Sequence, residues 1–181
     1  RVVANGDLSL SAGGRLALAE GGAGGRADLT ARGGVLSIGT PFVAGQAVQL
    51  AGRDGVGTAV VQSGGDLGIA SSGGVVTTGG LFAPGAVAVS AAQGLHVAGP
   101  VAAGESVHLR SGSVLQVAGS VVAGADLSLG GASVRVGEVL AAGQLVVEAG
   151  QIEADSLGAG GALALSALTG VSVTGGVLSN G

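Results

Sequence analysis

The chain has no cysteine, so disulfides and thiolate metal sites are excluded. A cysteine-free chain also suits a protein that stays unfolded during export. Lysine, methionine, tryptophan and tyrosine are absent too, and the only aromatic residues are Phe42 and Phe82. A wide globular core is filled at near-crystalline density by large side chains. Valine, leucine and alanine alone can fill only a narrow interior. Charged residues make up 10% of the chain, and proline occurs three times. Low charge with many aliphatics excludes ordinary disorder. Collagen fails for want of proline and of a three-residue glycine period. The net charge of −4, from 7 basic residues against 11 acids, leaves no basic patch to displace phosphate counterions, so nucleic acid is not an expected partner. Gly, Ser and charges break every apolar run short of the ~18 residues a membrane helix needs, so no membrane insertion of this segment is expected. No charged-then-apolar leader opens the sequence. Residues 1–181 read as one unit, an internal piece of a longer chain.

What remains is glycine, 40 of 181 residues, in a chain that is 47% hydrophobic. A small-residue turn recurs at Gly6, Gly25, Gly45, Gly65, Gly85, Gly104, Gly124, Gly143 and Gly161, at intervals of 19, 20, 20, 20, 19, 20, 19 and 18. Between these marks lie short triplets with apolar or small flanks. Examples are Leu8-Ser9-Leu10, Leu36-Ser37-Ile38, Val107-His108-Leu109, Leu127-Ser128-Leu129 and Val171-Ser172-Val173. Period-two alternation means a strand with one dry and one wet face. A helix would space its apolar residues three and four apart, and each interior glycine would cost it roughly 1 kcal/mol. A third short segment precedes the mark, with Phe42, Phe82, Val101, Val121 and Leu140 each three residues before a marker glycine.

Three strands per unit of roughly 19–20 residues predict an all-β fold: a right-handed parallel β-helix (β-solenoid) of about nine coils. At the ~4.8 Å strand spacing the rod would be about 43 Å long. Corner glycines are expected to supply positive-φ turns and close backbone approach. A leucine-rich repeat has similar unit length but needs a fixed Asn or Cys position, and Asn occurs only at Asn5 and Asn180. A hairpin-built barrel fits the alternation but not the strict unit length.

The units Gly6 to Leu18 (GDLSLSAGGRLAL) and Ala123 to Val136 (AGADLSLGGASVRV) resemble the repeats of filamentous haemagglutinin, a family of large Gram-negative adhesins exported by two-partner secretion. The resemblance spans nearly the whole chain. It implies a secreted or cell-surface fibre shaft that attaches bacteria to a glycan or protein receptor on host cells, and it offers no catalytic residues, cofactor or metal ligands.

The candidate sites are few. Some parallel β-helices cleave polysaccharides with clustered acids, and Asp7, Asp66 and Asp126 occupy equivalent places beside the marker glycine. They fall in the first, fourth and seventh coils, about 14 Å apart, whereas paired carboxylates work at roughly 5–9.5 Å. They therefore read as solvated turn acids. His96 and His108 are both triplet centres, expected to point outward from neighbouring coils, and a metal site needs convergence with a third ligand. Arg53-Asp54-Gly55 has the wrong order for an Arg-Gly-Asp motif, and Asp-Gly marks a turn. Residues 51–64 nevertheless break the alternation most clearly, so Arg53, Asp54 and Gly55 are the expected partner-contact loop. The Gly-rich run 21–25 is the second such place. Neither calcium nonapeptides, stacked threonine ranks nor a phosphate loop is present. A carbohydrate-binding or carbohydrate-active β-helix is the alternative function.

Overall fold

A computed structural model of Arg1–Gly181 contains 23 strands and no helix. Successive coils pair in parallel throughout, from Val2↔Gly21 at the start to Leu157↔Val177 at the end. Each coil gives one strand to each of three sheets. Sheet A begins with Val2–Ala4, Gly21–Ala23 and Phe42–Ala44; sheet B with Leu8–Ala12, Ala27–Ala31 and Val48–Gly52; sheet C with Leu16–Leu18, Val35–Ile38 and Gly55–Thr58. The first inward residue of sheet B runs Leu8, Ala27, Val48, Leu67, Val87, Val107, Leu127, Leu145, Leu163, which gives nine coils of about the expected length. The steps between these residues are 19, 21, 19, 20, 20, 20, 18 and 18, a wider spread than the glycine intervals.

The interior is built of vertical columns. Leu10, Leu29, Leu50, Ile69 and Val89 continue through Leu109, Leu129 and Val147, one above another. Alanine and serine columns lie beside the corners, as in Ala44, Ser63, Ala83 and Ala103. Stacking like on like closes a narrow core with modest side chains, and from Ala23 to Ala159 the core residues are nearly all buried. Leu16, Leu18, Leu163 and Val173 are only partly covered because they have a neighbouring coil on one side alone. Gly21 stands in the inward column of sheet A directly under Phe42, and a side chain there would press on the phenyl ring at 3.0 Å. The one large core aromatic is thus accommodated by an empty place in the coil below.

The corner glycines serve close approach rather than unusual dihedrals. Gly55 alone has a positive φ, 154°. At Gly45 and Gly124 a Cβ would strike the carbonyl oxygen of the coil below, of Gly24 and Gly104 respectively. The markers also prove to occupy two adjacent corner columns: Gly45, Gly104 and Gly124 in one, Gly6, Gly25, Gly65, Gly85, Gly143 and Gly161 in the next. That offset corrects the third-segment pattern. Phe42, Val101 and Val121 point inward, but Phe82 and Leu140 point outward, because Leu81 and Val139 take the inward column.

In the 18-residue coils the chain rounds two of its three corners without separate turn residues, so that Leu127–Ala141 and Leu145–Ala159 each run through all three sheets as a single 15-residue strand.

Candidate functional site

The break in alternation at 51–64 is a change of residue type, not of path. Val56, Thr58, Val61 and Ser63 all keep inward positions. Their hydroxyls are satisfied inside. Thr58 donates to Thr78 Oγ1 at 2.9 Å, and Thr78 donates to the Ala59 carbonyl at 3.2 Å. Ser63 Oγ lies 2.8 Å from the Gln46 and Asp66 carbonyls and accepts the Gly65 N–H at 3.2 Å. A small hydroxyl so bonded is tolerated in an apolar column, and no buried side-chain nitrogen or oxygen lacks a partner. Arg53 and Asp54 form an exposed two-residue corner between Val48–Gly52 and Gly55–Thr58, and no loop protrudes there. Beside it, the missing side chains of Gly55 and Gly57 leave a dent of about 340 Å³ between Val35 and Val75. The run 21–25 likewise stays in the coil, as a sheet A strand and its corner.

Asp7, Asp66 and Asp126 occupy one corner column. Each carboxylate accepts the backbone N–H of the residue above it: Arg26 at 2.8 Å, Ala86 at 2.9 Å and Gln144 at 2.8 Å. They stand three coils apart, ~14 Å, too far for paired-carboxylate chemistry. A charge-assisted bond to an exposed corner N–H pins one coil to the next.

The two histidines lie on different sheets. His96 stacks between Thr77 and Gln116 on the outer face of sheet C; His108 stacks between Ala88 and Ser128 on sheet B. No group of three or more His, Asp or Glu converges as a metal site would require. On sheet B, Gly68, Ala70 and Ala88 form the floor of a shallow depression of about 280 Å³, with Gln49 at one end and Ser90, His108 and Arg110 at the other. Its floor is flat because two successive coils place glycine or alanine outward there.

The sequence reading missed the outer face of sheet A. Its outward column runs Val3, Gly22, Val43, Gln62, Phe82, Ala102, Val122, Leu140, Gly158, Leu178. Val3, Val43, Val122, Leu140 and Leu178 are exposed there. All 7 basic residues and 11 acids lie elsewhere. The signal was present, since every sheet A triplet has an uncharged centre, but it is legible only once the register separates inward from outward residues.

No protein-family model matches the chain, and neither the curated proteins nor the solved structures give a significant match.

Proposed function

We propose that the chain is a length of shaft from a secreted bacterial filamentous adhesin, holding a host-attachment surface away from the cell. The observation that carries this reading is the unbroken stack of nine parallel coils with its continuous aliphatic columns. Such a stack is quasi-one-dimensional, each coil supported by its neighbours, and it presents side chains on rigid strands at a fixed ~4.8 Å repeat. The unit pattern of Gly6 to Leu18 and Ala123 to Val136 supports the link to filamentous haemagglutinin-like adhesins. The receptor in this reading is a glycan or protein on the host cell surface.

Beads coated with the purified rod provide the test. Attachment to host epithelial cells above that of beads carrying an unrelated rod of similar charge supports an adhesive surface. Attachment no better than that control, at every coating density, removes adhesion and leaves a spacer.

The sheet B depression favours a second reading, carbohydrate binding. A flat Gly/Ala floor flanked by Gln49, Ser90, His108 and Arg110 suits the face and hydroxyls of a sugar ring. A glycan array beside a polysaccharide-cleavage assay separates the two: glycan retention without cleavage identifies a lectin-like rod, and cleavage identifies a carbohydrate-active one.

A further inference from the structure

The outer face of sheet A is an apolar stripe with a carboxylate-lined corner along one edge. Asp7, Asp66, Glu105 and Asp126 are exposed along the corner leading to sheet B, whereas the corner arriving from sheet C carries acids only near its ends, at Glu20, Glu138 and Asp155, with Pro41, Val60, Gly80, Pro100 and Ser120 between. The arginines nearest these corners are already paired, Arg1 with Glu20 at 3.5 Å and Arg26 with Asp28 at 3.4 Å. An uncharged column with carboxylates along one edge is the charge complement of one kind of surface: apolar along its centre, basic along the facing edge.

We propose that sheet A is a docking face for a basic amphipathic helix of a partner protein, laid along the rod axis. Over the first seven coils the bulky apolar outward residues Val3, Val43, Phe82 and Val122 recur at every second coil, and Leu140 follows Val122 directly on the eighth. That interval is ~9.6 Å. A helix presents the same face every seven residues, ~10.5 Å, so successive apolar side chains of the helix fall between successive ridges of the rod. Gly22 and Ala102 hold two of the three places between ridges open, and Gln62 occupies the third. The helix diameter of about 10 Å matches a stripe one residue wide, which leaves Lys and Arg on one flank of the helix within reach of the acidic corner. A second copy of the chain fits less well. It has no basic edge to set against the acidic corner, and each partner carries a net charge of −4. This inference is independent of the shaft reading, since it concerns which chemistry the face accepts and not where the protein resides.

The test uses the purified rod and three synthetic peptides of about three heptads. One has Leu at the apolar positions and Lys and Arg elsewhere; one has the same composition in scrambled order; one carries Glu in place of the basic residues. Binding is read by fluorescence anisotropy at low and high salt. The patterned basic peptide is expected to bind alone, and more weakly as salt rises. Val122→Lys, on the stripe, should weaken it about tenfold or more, whereas Ala88→Lys, the same charge change on sheet B, should have little effect. Gln62→Lys repeats the stripe test if Val122→Lys lowers the melting temperature. Asp66→Asn with Asp126→Asn keeps the corner hydrogen-bond acceptors and should also weaken binding. The proposal is overturned if no peptide binds, if the scrambled peptide binds equally, or if Ala88→Lys weakens binding as much as Val122→Lys. Sedimentation showing that the rod pairs with itself, and that Val122→Lys abolishes the pairing, would assign the face to a second copy instead.

Discussion

Asp66 accepts the backbone N–H of Ala86 at 2.9 Å, and the oxygen that does so occupies the space where a side chain on Gly85 would begin. The same relation joins Asp7 to Gly25 and Asp126 to Gly143. Where the coil below has no Asp, the glycine column admits Gln46, Glu105 and Ala125. Gly85→Ala should therefore displace the Asp66 carboxylate and destabilise the rod by about 1 kcal/mol. Gly65→Ala, above Ala47 in the same column, should be milder. Urea unfolding of Gly85→Ala, Asp66→Ala and the double variant should show the two changes to be less than additive. Strict additivity would mean that the two residues do not share the space.

Leu127 and Ser128 are neighbours on one strand with opposite environments. Leu127 is 1% exposed and stacks between Val107 and Leu145, whereas Ser128 faces out beside His108. Leu127→Asp would place an unpaired carboxylate in the column and should cost several kcal/mol. Ser128→Asp should be close to neutral. Thermal unfolding that ranks the two variants equally would contradict the facing of this strand.

Removing Val87–Ser106 takes out one whole coil, because Val87 and Val107 occupy the same column. The shortened rod should fold, with circular dichroism per residue unchanged. Removing only Val87–His96 should scramble every column above the cut, since inward residues would meet the wrong sheet. Equal protease resistance of the two deletions would mean that the coils are not in register.

Gly21 and Phe42 should be energetically coupled. Gly21→Ala in the native chain crowds the phenyl ring and should destabilise by about 1–3 kcal/mol. In a Phe42→Val background the same change should be neutral or stabilising, because the added methyl enters space the ring has vacated. A penalty that persists in the second background would place the strain in the backbone.

The path of the chain was legible because each coil repeats one short pattern. Leu8-Ser9-Leu10 and Leu127-Ser128-Leu129 show their dry and wet sides without help, since serine and leucine differ so widely in hydration. Phe82 and Leu140 were not legible, because an apolar residue outward looks the same in sequence as one inward. Only pairing of Leu81 with Val101, and of Val139 with Val121, decides which of two adjacent apolar residues enters the core. Thr58 and Ser63 misled in the opposite direction, as polar residues that keep inward places by bonding to Thr78 and to backbone carbonyls. The stripe on sheet A and the depression on sheet B depend on residues brought together from different coils about 20 residues apart, which a linear pattern does not display.

The inter-coil ladder has a mechanical consequence. Its bonds, such as Leu8 N–H to the Arg26 carbonyl at 2.8 Å, point along the rod. Tension on the two ends therefore opens them a few at a time, as a zipper parts, and does not shear a whole sheet at once. A coil of 20 residues that yields lengthens from ~4.8 Å to about 68 Å of extended chain. A pulled rod would thus pay out slack in near-equal steps, remain folded beyond the break, and rewind when the load is released.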